Sequence, residues 1–258
     1  MRWIQKQAGQ PSCITEFVCN QMAARGDWQQ FRVDYPAFTR GRNLLQLLME
    51  EQHGLCAYTG AGIDVGRLPG HRPRNQVPPR HDYWFKAHIE HLKSQRQCRE
   101  EHESAGKVVG RDVGEDMDYR NMVAAIEVAG TTAEHFGASV RGDQPLSVIP
   151  TRQECEEAFY FFEDGQVRGK HQDAEEAIRV LHLDHATLNR WRGAAIDLFL
   201  PERENTPAAE LQTILDAVTQ PANGQLPEFA FVIAQLARDY LTIQRTRAAQ
   251  PAAVSQPS

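Results

Sequence analysis

The sequence predicts an α+β fold, mainly helical, with a small two-stranded core between groups of helices. Three observations lead to it. Helical spacing dominates both ends of the chain. Two short strand-like segments, KAHIEHL and DYRNMVAA, lie among long stretches rich in glycine, proline and charge. An aromatic run broken by Asp164-Gly165 carries the signature of a hairpin.

In chain order, residues 12–25 and 39–53 have helical spacing. Leu44, Leu45, Leu47, Leu48 and Met49 form the apolar stripe of the second, and Gly54 is its stop signal. Residues 61–80 turn to Gly, Pro and Arg and read as a long loop. KAHIEHL then reads as a strand, about 93–116 as a second long loop, and DYRNMVAA as a second strand. ECEEAFYFFEDGQV is the hairpin. DAEEAIRVLHL has the acidic start of a helix, and HATLNRWRGAAIDLFL carries an apolar stripe that ends at Pro201. Two further helices are expected at about 207–219 and 227–246. The chain thus divides into N-terminal helices (1–54), a core holding the polar segments (55–150), a hairpin with C-terminal helices (151–247) and a disordered tail (248–258).

Bulk properties narrow the class. With 258 residues and 41% hydrophobic content, the chain can build an ordinary core. It contains no long uncharged apolar run, and its first residues lack the apolar stretch of a secretory signal, so a cytoplasmic protein without membrane contact is expected. Cysteines 13, 19, 56, 98 and 155 are odd in number and form no CxxC pair, which argues against a disulfide framework. A net charge of −6 disfavours a strongly basic DNA-binding surface overall. Locally, however, Arg67, Arg72, Arg74, Arg80, Lys86, Lys93, Arg96 and Arg99 make one segment basic enough to face phosphates.

The segment HIEHLKSQ, residues 88–95, concentrates the chemistry. Two histidines and a glutamate within four residues suit a metal site, an acid/base site or a polar surface, and spacing alone does not choose. On a strand, His88 and Glu90 share one face while Ile89 and His91 share the other.

Glu90-His91 on a strand, then a loop, Asn121 on the next strand, and His135 soon after form an ordered set. In that order the sequence resembles the HNH nucleases. The flanks extend the likeness. LLQLLMEEQHGLCAYTG, HIEHLKSQ, DYRNMVAA, EHFGASVRGD and AIRVLHLDHATLNRWRGAAI resemble successive blocks of the PtuB-type subfamily of Septu and retron-associated anti-phage defence, over about residues 40–200. The resemblance implies a ββα-metal core within 55–150 and hydrolysis of nucleic-acid phosphodiesters. His91 would be the general base and Asn121 would orient it, although in some relatives the asparagine contacts the metal. Glu90 and His135 would hold a divalent cation, Mg2+ or Mn2+. Lys93, Gln95 and Arg96 are the expected nucleic-acid contacts. An SMC/ABC-like ATPase of the PtuA type is the implied partner.

The chain departs from the family in two places. Ser94 stands where proline is usual. Of four cysteines that bind a structural zinc in typical members only Cys56 is present, with Thr59, Ile126 and Phe136 at the other positions, so no structural zinc is expected and packing must replace it. These losses also support the alternative of a catalytically degenerate subunit that binds nucleic acid or serves assembly. A transcription-factor-like DNA binder is disfavoured by the acidic charge and the lack of a recognition helix.

Overall fold

A computed structural model describes residues 1–20, 27–34, 42–63, 85–107, 114–128 and 132–249. The chain is α+β, with two small antiparallel sheets and surrounding helices among the described residues. The 61–80 loop lies outside the described residues from 64 onward, as do Arg67, Arg72, Arg74 and Arg80, and the tail lies outside from 250. None of the described helices is long and apolar enough to cross a membrane.

Among the described residues three helices precede the first strand: α1 (Ser12–Asn20), α2 (Trp28–Asp34) and α3 (Arg42–Glu51). Their buried residues recur at helical spacing: Ile14 and Phe17, Trp28 and Phe31, then Leu44, Leu45, Leu48 and Met49. The second of these, α2, has no counterpart in the sequence reading, because seven residues are too few to establish a period. Left-handed His53 and Gly54 (φ 55° and 76°) end the run from α3, Gly54 being the stop signal seen in the sequence.

Strand β1 (Phe85–His91) pairs antiparallel with β2 (Met122–Val128), His91 opposite Met122 and Glu90 opposite Val123. The other edge of β2 is closed mainly by side chains. Lys6 Nζ donates to Met122 O, and the buried Gln52 amide brackets Ala124 by accepting from its N–H and donating to its carbonyl. Cys56 Sγ accepts from Ile126 N at 3.4 Å and Ser139 Oγ from Val128 N at 2.9 Å. Each is a ladder bond that a third strand would otherwise make.

The segment read as a loop from Lys93 to Asp116 contains helix α4 (Gln95–Ser104). Ser94 caps it by accepting from Gln97 N at 3.1 Å. Of this helix only Cys98 is buried, so no apolar stripe betrays it in the sequence. A short helix, α5 (Ala138–Arg141), follows β2.

The hairpin forms as read, with β3 (Phe159–Phe161) and β4 (Val167–Gly169) around Gly165. A Cβ at Gly165 would meet Asn189 O at 2.0 Å, and φ is 83°, so only glycine serves. Four α-helices follow among the described residues: α6 (Gln172–Leu181), α7 (Ala186–Phe199), α8 (Ala208–Thr219) and α9 (Ala230–Ala249). His171 and His185 cap the first two through Nδ1.

The C-terminal helices are core. In α9, Val232, Ile233, Leu236, Ala237 and Tyr240 are buried, and the segment before it docks on the turn after α3: Leu226 N donates to His53 O, Phe229 N to Gly60 O, and Gly62 N to Glu228 Oε1 at 2.7 Å. Truncating the chain at residue 203 would therefore uncover the interior.

Candidate functional site

The residues singled out at positions 88–96 and 121 converge where β1 ends. His91 is 5% exposed. Its Nε2–H donates to Asp116 O at 2.9 Å, and Trp28 packs edge-on against the ring at 4.8 Å between centroids. That bond fixes the tautomer, leaving Nδ1 as the acceptor, 3.4 Å from the Gln95 amide. Burial lowers the His91 pKa to about 4, against a smaller upward pull from the Asp116 carbonyl and the Glu90 charge. The ring is neutral at physiological pH.

Asn121 holds this arrangement from beneath. Its Oδ1 accepts from Lys93 N at 2.7 Å, its Nδ2 donates to Lys93 O and Glu115 O, both at 3.1 Å, and its carbonyl accepts from Leu92 N at 2.8 Å. One side chain thus ties the residue after His91-Leu92 to the turn that presents Asp116 O. Both ends of the Asn121 carboxamide are engaged by backbone.

Glu90 has different neighbours, as strand alternation requires. Its Oε1 accepts from Arg141 Nη1 at 2.7 Å and from the Tyr58 hydroxyl at 3.4 Å, while its Oε2 lies 3.6 Å from His88 Nε2. Burial, then the Glu90 charge, push the Tyr58 phenol well above its ordinary pKa. His135 is half-buried between a 3-10 turn (Thr132–Glu134) and α5, so it precedes that helix rather than lying on it. Among the described residues, no three His, Cys, Asp or Glu side chains converge as a ready-made metal cluster.

The donor chemistry can nonetheless accept a divalent cation. A gap of 3.6 Å is too long for a hydrogen bond, and the two atoms would have to close to about 3.0 Å to stand as adjacent ligands of an octahedral ion with bonds of about 2.1 Å. His88 Nδ1 is buried and makes no hydrogen bond among the described residues, so the ring has unspent polar capacity. Glu90 Oε2 and His88 Nε2 would hold the ion, with water completing its shell. An imidazole beside a carboxylate suits Mn2+ better than Mg2+.

The basic residues are less available than their sequence suggests. Lys93 is ion-paired with Glu101 and, at 2.8 Å, with Glu115. Arg96 is exposed and 3.3 Å from Asp143. Gln95 serves His91 directly.

The four residues compared above with zinc-binding cysteines, Cys56, Thr59, Ile126 and Phe136, are all buried. Cys56 Sγ bonds Ile126 N, Thr59 Oγ1 bonds Ala61 N, and Phe136 stacks edge-on against Trp191. The residue that sequence reasoning missed is Arg141, 1% exposed. A lone arginine in SVRGD reads as solvated, and the only local hint is the helix-ending Gly142.

No family model matches this chain, and no curated protein matches it.

Proposed function

We propose that the chain is a divalent-cation-dependent endonuclease of the HNH type, cleaving nucleic-acid phosphodiesters beside an SMC/ABC-like ATPase in anti-phage defence. The observation that carries the reading is the bracket around His91. Its Nε2–H is committed to Asp116 O, and Asn121 ties both the chain after His91 and the Asp116 turn into one frame. A general base needs an unprotonated nitrogen aimed in a fixed direction at neutral pH, and Nδ1, which now accepts from the Gln95 amide, has that form.

In this reading Nδ1 takes the proton of the attacking water, which must replace or pass the Gln95 amide now facing it. Glu90, with His88, would hold the cation, which when bound would supply charge neutralisation at the phosphate and the leaving oxygen. The ββα-metal identity, the part played by His135 and the ATPase partner rest on the sequence resemblance.

A second reading, the non-catalytic nucleic-acid-binding or assembly subunit, is favoured by one contact: the buried Arg141 guanidinium already compensates Glu90 at 2.7 Å. Incubating the purified chain, alone and with the ATPase, with supercoiled plasmid or single-stranded RNA separates the two. The nuclease reading predicts cleavage that needs Mn2+ or Mg2+ and stops in chelator. Binding without cleavage under every cation would favour the second.

A further inference from the structure

Arg141 ends α5 with its side chain turned inward among five acceptors. Nε donates to Gln144 O at 2.9 Å; Nη1 to Glu90 Oε1 at 2.7 Å, His91 O at 2.6 Å and Tyr58 Oη at 3.0 Å; and Nη2 to Leu92 O. Left-handed Gly142 (φ 57°) turns the chain just beyond it, and Gln144 N donates back to Arg141 O. A buried guanidinium is tolerated when its donors are met and a carboxylate faces it, and both conditions hold here.

The two successive carbonyls are the informative part. In a regular strand, the carbonyls of His91 and Leu92 point in opposite directions across the strand. Here both reach one planar guanidinium, so the chain bends where β1 stops. Glu90 and His91 still send their side chains to different neighbours, the carboxylate to Arg141 and Tyr58 and the ring to Asp116 O and Trp28, so Arg141 reaches the first through its side chain and the second through its backbone. We infer that Arg141 is a positioning residue for the site: it holds the Glu90 carboxylate and the backbone of the His91-Leu92 bend in one frame. This rests on the nuclease reading of His91 and Glu90.

An ammonium could neutralise Glu90, but it lacks the planar fork that spans a carboxylate and two carbonyls. Charge and geometry are therefore separable by Arg141→Lys, with Arg141→Met removing both. The experiment compares wild type with these variants below every melting temperature. It measures kcat and KM for cleavage, and the ring nitrogen signals of 15N-labelled His91. Arg141→Lys is expected to stay folded, keep KM within a few-fold and lose kcat by about 10²-fold, the scale of an ångström-level misplacement. Its His91 ring should leave the single Nε2–H tautomer that the bond to Asp116 O requires and populate both.

A folded Arg141→Lys with wild-type kcat and an unchanged His91 tautomer would overturn the inference. Should neither Arg141 variant fold, Tyr58→Phe removes a hydroxyl within the same cluster at almost constant volume. It should lower kcat several-fold, and no change would overturn the inference equally. Wild type that cleaves nothing would overturn the nuclease reading alone, because the His91 ring signals still report whether Arg141 sets the bend.

Discussion

Two arginines are buried almost equally, Arg141 at 1% and Arg192 at 2% exposure, in different company. Arg192, on α7, donates to Gly165 O at 2.6 Å, Leu183 O at 2.7 Å and Asn189 Oδ1 at 2.5 Å, all neutral acceptors. Burial lowers its pKa to about 9, which Asp184 and Asp164 only partly offset. It staples the hairpin turn to the helices. Arg141 reaches a carboxylate and the end of a strand that carries the candidate base. The difference teaches that a buried cation among carbonyls secures a fold, whereas one placed on a carboxylate also sets where that carboxylate and its neighbours stand.

The largest expected effect lies at the seam between these regions, where Phe136 packs edge-on on Trp191 at 5.6 Å and tilted against His185 at 5.3 Å. Phe136→Ala should cost about 3 to 5 kcal/mol of stability by denaturant unfolding, the usual range for deleting a buried aromatic ring. Chelator should leave the wild-type melting temperature almost unchanged, since buried Ile126 and Phe136 hold this region by packing. A chelator-induced fall of many degrees would mean that a metal still organises this region.

The comparison itself is broken or kept by Arg192→Met. Its loss leaves three acceptors unmet, so stability should drop by about 3 to 4 kcal/mol. Below the melting temperature the His91 tautomer and any cleavage should stay as in wild type. An altered His91 signal would mean that the two arginines act as one network.

Acid should sharpen the contrast at the site. The unfolded His91 titrates near 6.5 and the folded one at about 4, so the unfolded chain binds its proton first as pH falls. The stability due to the neutral buried ring is complete above about pH 6.5, declines between 6.5 and 4, and levels off below. It amounts to about 3 kcal/mol at most. In chelator, His91→Gln should flatten this part of the stability-versus-pH curve, and an unchanged slope would place the titration elsewhere.

How far the sequence reveals all this follows from what each feature depends on. Strands β1 and β2, the hairpin and α6 to α9 declare themselves because period, turn residues and caps are local. Helix α4 is hidden by its charge, although Ser94 followed by Gln97 has the spacing of a capping pair. At the site, His91 and Asn121 stand out as an ordered motif, and the structure links them through Lys93 and the Asp116 turn. Arg141 was illegible: its five acceptors come from Tyr58, Glu90, His91, Leu92 and Gln144, and no local pattern encodes their convergence. The ion pairs that occupy Lys93 depend likewise on where Glu101 and Glu115 fall.

The central claim is that the buried ring at the end of β1 is the base of a cation-dependent cleavage site. Its most direct test is the single-turnover cleavage rate of His91→Ala against wild type, at saturating Mn2+ and with the partner ATPase present. The account predicts a loss of about 10² to 10⁴-fold, measured below the lowered melting temperature that loss of this buried ring brings, with unchanged Mn2+ binding. Cleavage by His91→Ala at the wild-type rate would contradict it.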